Sequence, residues 1–240
     1  MKKKYIRWIL WIAASPFILF IILCVLIYLP PIQNYLVDKA AEIASEKTKM
    51  NISVGHVSLS FPLDLVMTDV KATSATRDTL LEVDRLQVKV QLFPLFKKNI
   101  EIDAVSIKDA YINSMEIIHG MTVKGTLGEF YLASHGIKLD PETAVLNDVL
   151  LKNSKISLCI TDTTSQDTAK SKPSYWKFKL KKIDVQNVDF EFSSPLQNTH
   201  LKAYLKKSAM RNGYIDLHKQ LYSIQTLYVD NGDLRFNDIK

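Results

Sequence analysis

Ile183-Asp184-Val185-Gln186-Asn187-Val188-Asp189-Phe190 sets an apolar pair around one polar residue, then a spacer, an Asn, and more apolar residues. Four other segments share this order: Leu65-Val66-Met67-Thr68-Asp69-Val70-Lys71-Ala72, Val105-Ser106-Ile107-Lys108-Asp109-Ala110-Tyr111-Ile112, Val149-Leu150-Leu151-Lys152-Asn153-Ser154-Lys155-Ile156 and Leu227-Tyr228-Val229-Asp230-Asn231-Gly232-Asp233-Leu234. In chain order the copies begin 40, 44, 34 and 44 residues apart. Recurrence at such a period is the mark of stacked supersecondary units. Within a copy the apolar residues alternate, which places them on one face of a strand. Asp or Asn at the fixed position suits a bend, since its short side chain bonds nearby backbone and tolerates the left-handed region. In the second copy the alternation of Ile100, Ile102, Val105 and Ile107 slips once at Ala104, which predicts a bulge.

Between copies lie further strand-like stretches, Leu81 to Val83, Leu86 to Leu92 and Ile137 to Leu139, so each unit reads as two or three strands with one apolar face. Ile52 and Val54 alternate and then change phase at Gly55-His56, another bend. Pro62 and Pro94 sit beside large apolar residues, which suits strand ends. Thr161 to Ser174 is polar and reads as a loop between units.

The 240-residue chain carries a formal charge of +6, but Lys2, Lys3, Lys4 and Arg7 supply four of those charges, leaving +2 for the rest. That remainder gives no electrostatic footprint for nucleic acid. Ile9 to Leu29 contains no charged residue. At about 1.5 Å per residue such a helix crosses a hydrocarbon core of about 30 Å. The basic residues before it predict a cytoplasmic N-terminus, and Trp8, Trp11 and Tyr28 suit the two interfaces. A cleaved signal peptide is the rival reading; its apolar core is shorter, about 7–15 residues. After Pro30-Pro31, apolar residues at 32, 35, 36, 40 and 43 form a helical stripe opposite Gln33, Asp38, Glu42 and Glu46. That helix is expected to cap an open sheet edge, the alternative being to lie on a membrane surface. The expected organisation is a basic tail over 1–8, a transmembrane helix over 9–29, an amphipathic connector over 30–50 and a β region over 51–240 that runs on past the end of the chain.

No phosphate-binding loop, nucleophile elbow, zinc-protease helix or Cys-x-x-Cys pair is present. The five histidines are dispersed, and Cys24 and Cys159 read as small apolar residues. No catalytic residue, metal or cofactor is expected, although a hydrolase assembled from distant residues stays open.

The order of segments resembles the N-terminal region of the AsmA-like superfamily, most closely its TamB (translocation and assembly module subunit) branch. The residues carrying the resemblance are the anchor, Ile32-Gln33-Asn34-Tyr35-Leu36, Ile52 to Val57, Phe61-Pro62-Leu63-Asp64-Leu65, Asp78 to Leu81, Leu92-Phe93-Pro94-Leu95 and Ile100 to Ile107. It covers roughly residues 1–115 well and the later repeats more loosely. The resemblance implies a mainly β fold, with an antiparallel sheet curved into an open groove, held at the inner membrane with its bulk in the periplasm. It further implies a role in outer-membrane homeostasis, through inter-membrane phospholipid transport or outer-membrane protein assembly, with an outer-membrane β-barrel as a partner. Candidate groove-lining positions for phospholipid acyl chains are Val105, Ile107, Ile112, Val149, Leu151, Ile156, Val185, Phe190 and Phe192. The alternative is a membrane-anchored adaptor that binds a partner by edge-strand addition.

Overall fold

The repeated Asp or Asn is where the backbone departs from ordinary strand geometry. In the computed structural model, Asp69, Asp109, Asn153, Asn187 and Asn231 all hold positive φ, between 49° and 56°. An L-residue there costs roughly 1–2 kcal/mol, and Asn and Asp are the side chains that bear it most readily. One left-handed residue shifts the alternation by one place. Apolar residues therefore run Val105, Ile107, then Ala110, Ile112; Ile183, Val185 likewise give way to Val188, Phe190. Without the shift every residue beyond the bend would turn to the opposite face.

The structure describes residues 26, 28–95, 101–114, 121–138, 141–160, 175–195 and 198–238. Helix α1 (Pro30–Thr48) precedes β1 (Asn51–Ser53), β2 (His56–Ser60), β3 (Asp64–Thr73) and β4 (Thr79–Val90). After a helical turn at Leu92–Leu95 come β5 (Ile102–Asn113), β6 (Met121–Lys138), β7 (Thr143–Ile160), β8 (Lys177–Ser194), β9 (Thr199–Asp216) and β10 (Leu221–Asp238). They form one open sheet in sequence order, with β1 and β2 both pairing with β3. Those two short strands are one ribbon broken at Gly55, whose N–H donates toward the carbonyls of Thr68 and Asp69 at 3.1 and 3.3 Å. The predicted phase change at Gly55 thus lies opposite the first left-handed residue. The slip predicted at Ala104 is also present: Lys89 pairs with Ala104 and Val90 with Ile102, leaving Asp103 unmatched.

One expectation is corrected. The sheet is not antiparallel throughout, because β7 and β8 run parallel, with Lys152 beside Gln186 and Ser154 beside Val188. A parallel pair requires the chain to return along the strand between its two members; residues 161–174, within that return, lie outside the described residues. This step explains the uneven repeat. The five copies lie on β3, β5, β7, β8 and β10, which all run the same way. An interval of 40 or 44 residues contains one antiparallel strand, and the interval of 34 contains none.

The expected transmembrane segment falls almost wholly outside the described residues. Among the described residues no helix is long and apolar enough to cross a membrane. Helix α1 does pack on the sheet edge, against β1 and β2, but not through every residue of the expected stripe. Tyr35 and Ile43 are exposed, and Gln33, expected on the solvent side, is buried. The reason is hydrogen bonding. Gln33 Nε2 donates to the Leu59 carbonyl and its Oε1 accepts from the Leu59 N–H, both at 3.0 Å. The side chain completes an edge that would otherwise leave backbone groups unpaired. A second tie runs from the Ile52 N–H to Ser45 Oγ at 3.0 Å.

Candidate functional site: an apolar trough in a creased sheet

The left-handed residues are aligned from strand to strand. Asn153 and Asn187 are neighbours across β7 and β8, with Asn187 Nδ2 donating to Asn153 Oδ1 at 3.2 Å. The flanking registers place Asp69, Asp84, Asp109, Gly128, Asn153, Asn187, Lys206 and Asn231 in one row across β3 to β10. All but Gly128 are exposed. On the opposite face, the row just beyond holds Val70, Val83, Ala110, Ser154 and Val188, all buried. Among the described residues, the extensive packing between elements lies between neighbouring strands and between α1 and β1 and β2, with no second layer over the sheet. A sheet that folds along this row, apolar face inward, accounts for both facts. Its two flanks shield the inner row and leave the outer row in solvent. The cluster of Val70, Val83 and Ala110 fits such a fold, with Met67 and Leu86 packed on it from one side of the row and Leu81 from the other.

A second crease crosses the longer strands. Asn212 has φ 52° and pairs by register with Lys181 on one side and Gln225 on the other, donating to Gln225 Oε1 at 2.7 Å. The apolar alternation slips here too, from Leu180 to Ile183 and from Met210 to Gly213, and Leu180 and Gly213 are buried. Two creases divide each long strand into three panels around a trough.

The nine candidate positions all lie on the inner face. Val105 and Val149 belong to the row Leu65–Val88–Val105–Leu132–Val149–Ile183–Met210–Leu227. Ile107, Leu151 and Val185 share a second row with Met67, Leu86 and Phe130. Ile112, Ile156 and Phe190 lie in a third, beyond the first crease, and Phe192 lies beside Leu158 and Leu201 in the next. All nine are half-buried, screened by neighbours in the sheet. The candidate set omitted the intervening strands: Leu86 and Val88 on β4, Phe130 and Leu132 on β6, and Leu205 and Met210 on β9. On β6 and β9 the signal was the same three-residue gap, between Leu127 and Phe130 and between Leu205 and Ser208, but without an Asp or Asn marker.

The inner face carries few polar groups. Ser154 Oγ donates to the Lys152 carbonyl at 2.8 Å, across the left-handed Asn153, and Ser208 Oγ donates to the Tyr228 carbonyl at 3.1 Å. Each hydroxyl satisfies backbone freed near a crease, so neither donor is directed into the trough.

On the described long strands the ion pairs lie on the outer face, both across and along strands. Lys182 bridges Asp184 at 2.9 Å and Asp148 at 3.4 Å, and Arg211 bonds Asp184 at 2.8 Å. Partial burial pushes the Asp184 carboxyl up, but the bonds from Lys182 and Arg211 outweigh it and hold it below its ordinary value. Glu191 is likewise held low, first by its bond from His200 and then by that from Lys202. The depression lined by Lys155, Asp189, Glu191, Lys202, Asp233 and Arg235 balances three cations against three carboxylates. Among the described residues no three His, Cys, Asp or Glu side chains are grouped to hold a metal. Compared with known proteins, the chain matches no family model, no curated protein and no solved structure.

Proposed function

We propose that this chain is a membrane-anchored β-groove protein whose trough shelters phospholipid acyl chains between the inner and outer membranes. The observation that carries the reading is the inner face itself: apolar rows running across β3 to β10 with no second layer over them among the described residues. Eight strands at a spacing of about 4.8 Å give a trough of about 34 Å. Each methylene taken out of water there gains about 0.8 kcal/mol. Ser154 and Ser208 are already bonded to backbone, so neither fixes a headgroup position. Helix α1 closes the trough at one end, against β1 and β2. The AsmA-like resemblance supplies the setting: an inner-membrane anchor through residues 9–29, a periplasmic groove and a contribution to outer-membrane homeostasis.

The test is site-specific photocrosslinking in the full chain in cells. A benzophenone side chain at Leu151, Val185 or Phe190 is expected to capture phospholipid, and one at Lys206 on the outer face to capture none. Equal capture at both faces, or none at the three inner positions, would refute lipid carriage. The adaptor reading predicts a different pattern of capture. A protein adduct formed from β10 in place of lipid adducts from the inner face would select it.

A further inference from the structure

The two most exposed large apolar side chains among the described residues are Phe93, at 81 %, and Phe61, at 78 %. They are 32 residues apart in sequence and neighbours in space. Phe61 lies in the Phe61-Pro62-Leu63 turn between β2 and β3, and Phe93 in the helical turn that follows β4. Asp64, just after the first turn, pairs with Lys89 near the end of β4, and the Val90 N–H donates to the Leu63 carbonyl at 3.0 Å. Both phenylalanines therefore project from one rim of the trough at its α1-capped end. The same corner meets the foot of the charge-free segment. Tyr28 Oη donates to the Pro62 carbonyl at 2.8 Å, and Leu26 and Leu29 are exposed on either side of that tyrosine.

Exposed aromatic rings tied to the end of an apolar segment of spanning length match one environment, the interfacial layer of a bilayer. We propose that this corner is a membrane-seating surface, in which Phe61 and Phe93 insert into the bilayer from which residues 9–29 emerge. Lys89, with its side chain more than half exposed, pairs with Asp64 at 3.7 Å beside the first turn. The inference rests on reading 9–29 as an anchor and adds to it a fixed posture for the groove. A protein seated this way does not swing on a tether. Its rim is held in the lipid, and Leu65, two residues inside the turn, is the first trough position that a chain leaving the bilayer meets.

The experiment uses the full chain with Cys24→Ser and Cys159→Ser, reconstituted into vesicles of phosphatidylethanolamine and phosphatidylglycerol. A nitroxide is attached in turn at Phe61→Cys, Phe93→Cys and Lys206→Cys, the last on the outer face. Collision with oxygen, which partitions into lipid, is compared with collision with a water-soluble nickel chelate. The expected result is an oxygen-dominated signal at 61 and 93 and a nickel-dominated one at 206. A nickel-dominated signal at 61 and 93, in protein that resists carbonate extraction, overturns the seating and leaves the anchor standing. Exclusion of both reagents at 61 and 93 also overturns it and indicates a protein contact there. Release of the chain by carbonate removes the anchor reading, and this inference with it.

Discussion

Replacing Asn187 by valine tests whether left-handed residues hold the crease. Asn187 has φ 52° and bonds Asn153 at 3.2 Å on the exposed side of the sheet. A β-branched residue at such φ is a steric outlier and costs about 2 kcal/mol. The lost amide bond, in water's reach, adds about 0.5–1 kcal/mol. Asn187→Val is thus expected to destabilise by about 2.5–3 kcal/mol, a large share of a typical stability of about 5–15 kcal/mol. Asn187→Gly loses the same bond and some chain entropy but keeps the geometry, for a cost near 1 kcal/mol. Lys206→Val is the control, because Lys206 occupies the same row without positive φ and is exposed; it is expected to stay within about 0.5 kcal/mol of the parent. Urea unfolding in micelles, followed by Trp176 in a Trp8→Phe, Trp11→Phe background, reads all three. Trp176 stacks on Phe178 at 5.5 Å and reports on the sheet. If Asn187→Val costs no more than Lys206→Val, the left-handed conformation is not what forms the crease.

Three further expectations follow from neighbouring features. A Cβ at Gly125 would fall within the contact distance of the Lys155 carbonyl, whereas one at Gly213 meets the flexible end of Met210 at 3.1 Å. Gly125→Ala should therefore cost about 2–3 kcal/mol and Gly213→Ala under about 1, measured by the same unfolding curves. Gln33→Leu leaves the Leu59 N–H and carbonyl unpaired and should cost about 2–3 kcal/mol, with hydrogen exchange at Leu59 accelerating more than at Val83. Asp184 has a folded-state pKa below its ordinary 3.8. Its ion-pair contribution is present above that value and is lost as pH falls through the lower folded-state value. Asp184→Asn should flatten that acid limb of a stability-against-pH curve; an unchanged limb would show that Asp184 is not linked to folding.

The five bends, the single apolar face and the interruption at Gly55 were all legible in the sequence, because left-handed geometry selects Asp and Asn and because alternation reports the face. The parallel step was not read, although its trace was the shortened interval between Val149 and Ile183. Spacing alone does not distinguish a missing strand from a short loop. The second crease escaped because Asn212 lies on β9, which runs against the repeat-bearing strands, so its surroundings do not align with theirs. The places of Gln33, Tyr35 and Ile43 on α1 differ from the hydropathy reading for another reason. Hydropathy ranks Tyr35 and Ile43 above Gln33, yet an edge strand needs a donor and an acceptor, and glutamine offers both.

The creases also separate two dimensions that most binding sites confound. The number of residues between Asn212 and Lys206, or between Gln225 and Asn231, sets the bore of the channel, and the number of strands sets its length. Duplicating one hairpin adds two strand spacings, about 10 Å, and leaves the bore untouched. Inserting one residue between creases would alter the calibre while adding nothing to the reach. A gene built on this unit can therefore be lengthened by duplication while the width of the trough is held constant.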